Sequence, residues 1–269
     1  MSATTSSKVR EWLSLTLRNP REALDRVATL VDVRSDRLFV EPPDYSTVSY
    51  ADVWRRIVDV AEDAEGASVL ADYADEAAEV EAAVRERKAI IRDAPIDQIH
   101  SADFALARLC YLAARVSRPA NVLETGVAYG VTSTFVLSAL ERNGAGWLHS
   151  IDLPPLGRDV DKFVGALIPD HLRHRWRLYR GVTRRVLPEL LTQLGRVDMF
   201  IHDSLHTYRN IKFELEKVTP RLSPGAIVIA DDIDENPAFK EWSQGRELAY
   251  SGVVQEERKA SLLGVAFMP

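Results

Sequence analysis

Val122-Leu123-Glu124-Thr125-Gly126-Val127-Ala128-Tyr129-Gly130 is the stretch that decides the fold. A short apolar run ends in an acidic residue. Two glycines follow, four apart, and a helix-like segment then runs from Val131 to Arg142. The order is strand, glycine turn, helix. Glycine allows a positive φ and a close approach by a ligand. The helix behind it aims its unpaired N–H groups back at the turn. A turn built this way holds a nucleotide-like ligand.

On the C-terminal side of the turn, strands and helices alternate. Strands are expected at 121–124, 147–152, 176–179, 197–202 and 226–230, with helices at about 131–142, 159–171, 183–194 and 207–221. Such alternation predicts a parallel sheet covered on both faces. Gly252–Gln255 and Leu262–Met268 read as a hairpin joined by a charged turn around Glu256–Lys259. The expected fold class is α/β. It is a doubly wound, Rossmann-like seven-stranded sheet of five parallel strands plus a C-terminal antiparallel hairpin.

On the N-terminal side the pattern is helical. Residues 8–33 carry amphipathic patterns with Trp12, Leu13, Leu17, Leu24, Val27, Leu30 and Val31 as apolar positions. Asn19-Pro20 divides them, and Pro20 suits the first turn of the second helix. Further helices are expected over 50–60, 67–92 and 101–116, the last capped by Ser101. Residues 1–100 therefore read as a helical N-terminal extension, and 101–269 as the ligand-binding domain.

The 269 residues carry a net charge of −6, which argues against a nucleic-acid partner. The basic run His171–Arg177 reads as a solvated helix end leading into a strand. No apolar run reaches the roughly 18 residues of a membrane span. Met1–Ser7 has no apolar signal core. The one cysteine, Cys110, falls in an apolar helical pattern and reads as a buried core residue. A soluble cytoplasmic protein with no membrane partner is expected.

In open α/β sheets the ligand sits outside the carboxyl ends of the strands. Glu124 and Gly126 end the first strand, and Asp152, 26 residues after Gly126, ends the second. An acid there is placed to accept from ribose hydroxyls. Gly181, Val182 and Thr183 follow the third strand and can border an adenine ring. The spacing Gly-x-x-x-Gly is not the dinucleotide fingerprint. Glu124 would repel phosphate but suits an ammonium group. S-adenosylmethionine, which has an amine, a sulfonium and a ribose but no phosphate, fits better than NAD.

The fourth and fifth strands run into His202-Asp203-Ser204-Leu205-His206 and Asp231-Asp232. Adjacent parallel strands bring Asp203, Asp231 and Asp232 to one rim. Three crowded carboxylates repel unless a cation neutralises them, and their oxygens suit Mg²⁺ or a similar divalent ion. Such an ion lowers the pKa of a bound hydroxyl. His206, three residues after Asp203, is placed as a general base. His202 reads as a histidine turned into the sheet. Neighbours along a strand face opposite ways, so Asp231 and Asp232 share a cleft only if the strand bends at its end.

These motifs together resemble the class I S-adenosylmethionine-dependent methyltransferases. The nearest branch is that of metal-dependent small-molecule O-methyltransferases, including macrolide-sugar and cephamycin-type enzymes. The resemblance rests on Val122–Ser133, Ser150-Ile151-Asp152, His202–Tyr208 and Leu222–Asp232, and spans roughly residues 100–269. It implies that Glu124, Gly126 and Gly130 line the methionine part of the cofactor, with Ser133 near its carboxylate. Asp152 would hold the ribose, and Gly181–Thr183 would border the adenine. Asp203, Asp231 and Asp232 would bind metal, and His206 would act as base, with Asp203 also catalytic. Many relatives read Asp-Gly-x-His where this chain reads Asp203-Ser204-Leu205-His206.

The expected function is methylation of a hydroxyl on a small acceptor, a sugar or phenolic group of a secondary metabolite. Three other readings remain open at this point. One is a metal-independent O- or N-methyltransferase of the same fold, another a nucleotide-binding oxidoreductase, and the third a non-catalytic cofactor-binding protein. Tyr45, Tyr50 and Trp54 are candidates for an acceptor pocket, with helical core packing the competing role for Trp54. The N-terminal helices are candidates for a lid, a substrate pocket or contacts in a homo-oligomer.

Overall fold

A single seven-stranded sheet carries the chain in this computed structural model, which describes residues 3–59, 66–92, 94, 104–157, 159–255 and 261–269. The strands are β1 (Asn121–Thr125), β2 (Trp147–Asp152), β3 (Trp176–Arg180), β4 (Val197–His202), β5 (Leu222–Ala230), β6 (Tyr250–Gln255) and β7 (Leu262–Phe267). Their order is β3-β2-β1-β4-β5-β7-β6. Strands β1 to β5 pair in parallel, while β7 runs antiparallel to both β5 and β6. This is the doubly wound sheet with a C-terminal hairpin that the alternation predicts. The last strand inserts between β5 and β6. Ser101 and the hairpin turn around Glu256–Lys259 lie outside the described residues.

The helices are α1 (Ala3–Arg18), α2 (Pro20–Phe39), α3 (Tyr50–Asp59), α4 (Gly66–Arg87), α5 (Phe104–Ser117), α6 (Val131–Asn143), α7 (Thr183–Leu194), α8 (Tyr208–Val218) and α9 (Ala238–Gln244). The Asn19 side chain caps α2 by accepting from the Glu22 N–H at 3.2 Å, and Pro20 takes the first helical position. Among the described residues no helix is long and apolar enough to cross a membrane.

Strand parity sorts the core into two layers. Val122, Met199, Ile201, Ile227 and Ile229 face α5 and α6, and α3 and α4 pack onto the same layer through Val53, Ile57, Val80 and Val84. Leu123, Phe200, Val228 and Ala230 face the other way, onto α7, α8 and α9. Cys110 is buried in the first layer. Both faces of each central strand are covered, so the strands read as continuous apolar runs.

A helix over 159–171 does not form. Pro154-Pro155 and Pro169 bound the segment, and Gly165 inside it adopts φ +67°. It makes two short 3₁₀ turns, Val160–Phe163 and Asp170–Arg175. Its backbone braces the glycine turn instead. Gly165 N–H donates to the Ala128 carbonyl (3.0 Å) and Leu167 N–H to that of Tyr129 (2.9 Å). The helix expected over 207–221 ends at Val218, and Thr219–Arg221 tightens into a 3₁₀ turn around Pro220.

Gly126 sits at φ +85°, and a Cβ there would lie 1.8 Å from the Asp203 carbonyl oxygen. A Cβ on Gly144, also left-handed at φ +71°, would meet nothing within 4 Å among the described residues. Gly126→Ala should therefore cost on the order of 3 kcal/mol, from clash and backbone strain together, and Gly144→Ala only about 1 kcal/mol from the backbone. Urea denaturation of both variants checks this, and equal losses would contradict the close approach at Gly126.

Candidate active site

Register places the site. Thr125 pairs with His202 and Ile151, His202 with Ala230, and Asp152 with Arg180. The ladder then runs one residue further. Gly126 N–H donates to the Ile151 carbonyl (2.9 Å), Asp203 N–H to Thr125 (2.8 Å), Asp231 N–H to His202 (2.9 Å) and Gly181 N–H to Asp152 (2.9 Å). Four loops thus start on one rim. The strand order reverses between β1 and β4, which is where open α/β sheets bind ligands.

A cleft of about 650 Å³ opens there. Its sheet-side wall includes Gly126, Asp152, Gly181, Val182, Thr183, Asp203, His206, Asp231 and Asp232, all expected at the site, together with Val127 and Ala128. Trp12, Arg26, Thr29 and Leu30 of α1 and α2 form the opposite wall. Glu124, Gly130 and Ser133 stand behind the wall rather than in it. A Cβ on Gly130 would meet Gly165 Cα at 2.9 Å, so that glycine is covered by the turn segment. Tyr45, Tyr50 and Trp54 do not line the cleft, which corrects the expected acceptor pocket. The Tyr50 hydroxyl donates to the Ala105 carbonyl (2.7 Å), and Trp54 packs on the core. Tyr45 lies at a separate, smaller cavity beside Lys240.

Asp152 is fixed by the glycine turn. Its Oδ2 accepts from the N–H groups of Val127 (2.9 Å) and Ala128 (2.8 Å). Burial raises its pKa against that pull. Glu124 lies fully buried on the α6 side of the sheet. Its Oε2 accepts from Ser133 Oγ (2.7 Å) and Ser150 Oγ (2.6 Å), while Oε1 has no hydrogen-bond partner among the described residues. Burial pushes its pKa up to about 7.

The acidic notch is formed by Asp203, Asp231, Asp232 and His206. One ligand atom from each of Asp203, His206 and Asp231 lies within 4.8 Å of the others. His206 Nε2 is 3.9 Å from Asp203 Oδ1 and 3.8 Å from Asp232 Oδ2. Its Nδ1 lies 3.2 Å from the Asp231 carbonyl. A carbonyl only accepts, so Nδ1 carries the proton and Nε2 presents its lone pair to the notch. Burial, and then the neighbouring His202, lower the pKa of His206 and keep the ring neutral. Burial, with Asp231 next in weight, drives the Asp203 pKa well up. The chain does bend after β5: Asp232 is left-handed at φ +48°, and both acids reach the cleft.

Beneath the notch lies a carboxylate that sequence reasoning missed. Glu214 of α8 is fully buried. Its Oε2 accepts from Thr125 Oγ1 (2.7 Å) and sits 2.6 Å from His202 Nδ1. Its Oε1 accepts from Ser204 Oγ and Asn210 Nδ2, both at 2.8 Å. Burial alone would raise its pKa, but His202 and the hydroxyl donors bring it below the ordinary value. His202 therefore points into the α8 layer, and its ring meets that of His206 edge-on at 5.4 Å. The available signal was a charge within the apolar stripe Ile211, Glu214, Leu215, Val218.

Two stability predictions follow from these buried acids. Glu214→Ala removes the acceptor of His202 Nδ1 and one acceptor from each of Thr125, Ser204 and Asn210, and should cost about 3–5 kcal/mol in urea denaturation. Glu124 binds its proton more tightly folded than unfolded, so stability falls as pH rises from 4.5 to about 7 and then levels. Glu124→Gln should remove on the order of 2–3 kcal/mol of that decline, seen by comparing denaturation at pH 5 and pH 8. Identical slopes in the two proteins would contradict the raised pKa.

Residues 123–233 match the family model described as a methyltransferase domain. No curated protein matches the sequence. Solved structures do. An O-methyltransferase from Bacillus cereus in complex with SAH shares 13% identity at a TM-score of 0.60, over 70% of this chain and 91% of that one. TomG from Streptomyces achromogenes, an O-methyltransferase involved in tomaymycin synthesis and solved with SAM, shares 16% identity at 0.55, over 88% and 95%. SAH-bound PaMTH1 from Podospora anserina shares 13% identity at 0.54, over 70% and 88%. Residues 123–233 thus match a methyltransferase domain, and the seven-stranded sheet with its glycine turn at the switch point has the fold of the class I S-adenosylmethionine-dependent methyltransferases.

Proposed function

We propose that the chain methylates a hydroxyl of a small molecule, a sugar or phenolic group of a secondary metabolite, with a divalent cation in the acidic notch and His206 as general base. One observation carries this reading. The lone pair of His206 Nε2 faces Asp203 and Asp232 on the same rim as Asp152 and the glycine turn.

The residues present fit both groups. The cleft volume lies in the range of small-molecule sites. Asp152 at its rim suits the ribose of the donor, while Glu124 braces the turn from behind the wall through Ser133 and Ser150. Asp203 and Asp231, with Asp232 beside them, would hold the cation. When bound, S-adenosylmethionine supplies an electrophilic methyl group, and the cation supplies Lewis acidity that lowers the pKa of a hydroxyl.

The chain's own residues do the rest. The β1–α6 turn and Asp152 orient the donor. The space between α2 and the notch receives the acceptor. His206 Nε2 takes the hydroxyl proton, with the ring orientation fixed by Nδ1–H on the Asp231 carbonyl. Holding the two reactants in line supplies much of the rate. We place the reaction in the cytoplasm, in keeping with a single, buried cysteine.

A second reading makes His206 a metal ligand, because its nitrogen shares the 4.8 Å cluster with Asp203 and Asp231. Transfer of labelled methyl from S-adenosylmethionine to a library of hydroxylated acceptors tests the main reading. His206→Ala should lower kcat by about 10²–10⁴-fold with donor and Mg²⁺ affinity retained in calorimetry. Loss of Mg²⁺ affinity in that variant would favour the ligand reading. Asp203→Ala and EDTA should each abolish turnover while donor affinity stays near wild type. Turnover that survives EDTA would leave a metal-independent transfer.

A further inference from the structure

The β1–α6 turn carries a backbone conformation that its sequence does not favour. Gly130 N–H donates to the Val127 carbonyl (2.7 Å), closing a β-turn whose first central residue is Ala128. Ala128 is left-handed, at φ +45°. A positive φ at that position belongs to glycine, and a Cβ there is strained. Such a residue persists only where its surroundings leave it no alternative. Ala128 lines the cleft, so the strain lies against the proposed seat of the donor.

The turn is gripped on two sides. The Ala128 N–H donates to Asp152 Oδ2 (2.8 Å). Behind the turn, the Ala128 carbonyl accepts from Gly165 N–H (3.0 Å) and the Tyr129 carbonyl from Leu167 N–H (2.9 Å). Residues 164–168, which supply these donors, are neither helix nor strand, and their carbonyls take partners from elsewhere. Two arginines serve. Arg87, the last residue of α4, donates from Nε to the Leu167 carbonyl (2.9 Å), and its Nη2 lies 3.4 and 3.5 Å from the carbonyls of Ala166 and Ile168. Arg173 Nη2 donates to the Gly165 carbonyl (2.7 Å). The base of this brace is firm. Glu76 of α4 accepts from Tyr111 Oη (2.6 Å) and Arg115 Nε (2.8 Å) of α5, and Glu81 pairs with Arg108 (2.7 Å).

We propose that Arg87 is a positioning residue for the methyl donor. By holding the carbonyls of residues 166–168 it keeps the N–H groups of Gly165 and Leu167 under the turn. Those two hydrogen bonds keep Ala128 left-handed and the turn shaped for S-adenosylmethionine. Arg87 does not line the cleft, so its effect passes through the backbone of the segment. Without it the turn exchanges with relaxed shapes, and affinity falls with the fraction that keeps the binding shape. The proposal rests on the proposed seat of the donor against this turn, and not on the metal or on His206.

Calorimetric titration of the full chain with S-adenosylmethionine tests this without an acceptor. Arg87→Ala should raise the Kd about tenfold, the change expected when the competent fraction drops to about one tenth, with an unchanged far-UV spectrum. Arg87→Lys, which keeps a cationic donor near the Leu167 carbonyl, should recover most of the loss. The strain supplies a sharper readout. Glycine holds a positive φ freely, so in the Ala128→Gly background removal of Arg87 should raise the Kd no more than about threefold. Wild-type affinity in Arg87→Ala overturns the proposal. So does an equal loss in the two backgrounds, which a general loosening of the fold would give. Should Arg87→Ala lose its helical signal, Arg173→Ala releases the same segment at Gly165, and unchanged affinity there overturns the proposal equally. A wild type that binds no S-adenosylmethionine overturns the donor reading and the brace with it. Binding in the wild type that these variants leave unaltered overturns the brace alone.

Discussion

The cleft depends on parallel ladder bonds that run one residue past the strands. Gly126, Asp203, Asp231 and Gly181 each donate a backbone N–H to the last carbonyl region of a neighbouring strand. Position in the sheet thereby becomes position in the site. A slip of one residue in β4 would carry Asp203 away from β1 and turn His202 to the opposite layer. What opposes that slip is fit on both faces: Phe200 would trade layers with Met199 and Ile201, and His202 would leave Glu214 unpaired. The core thus selects the register, and the register places the chemistry.

Below the rim, two buried carboxylates fasten the two loops, one from each face of the sheet. Parity dictates the division. Glu124 shares the α6 face with Ser150 and Ser133, while Thr125 and His202 share the α8 face with Glu214. Glu214 is the better satisfied, with donors on both oxygens, and it binds Ser204 and Asn210 on either side of His206. Glu124 keeps one oxygen without a partner and holds its proton to about pH 7. Isolated buried charges are costly, so each acid has adopted the state its surroundings can satisfy. One is ionised beside a histidine, and the other, between two serines, gives up its proton only near pH 7.

Much of this was legible in the sequence, for definite physical reasons. The central strands are apolar on both faces and end in residues that apolar packing would not choose, so Glu124, Asp152, Asp203 and Asp231 stood out. The glycine turn was legible because only glycine fits where Gly126 meets the Asp203 carbonyl. The segment 159–171 misled because its helical spacing outweighed Gly165 and Pro169, whose backbone needs decided the outcome. Glu214 was hidden because its partners Thr125 and His202 lie on distant strands, and single-helix periodicity sees only a misplaced charge. The seating of the α1–α2 arm was hidden for the same reason: apolar positions on α2 show that a helix is amphipathic, not which side faces the body, and here the acidic side does.

That reversed side bears on how the arm is held. Its link to the body consists largely of arginine–carboxylate pairs, and Arg180, Arg184, Arg185 and Arg209 are all appreciably open to solvent. Pairs of that kind contribute about 0–1 kcal/mol each and weaken with salt. Ordering a helix pair against the body costs conformational entropy that a few such pairs barely offset. Ion pairs give direction, so they explain which face of α2 turns toward the cleft. They explain poorly why the arm should stay. The apolar area on the far side is the larger reservoir of free energy, and it acts only when something covers it.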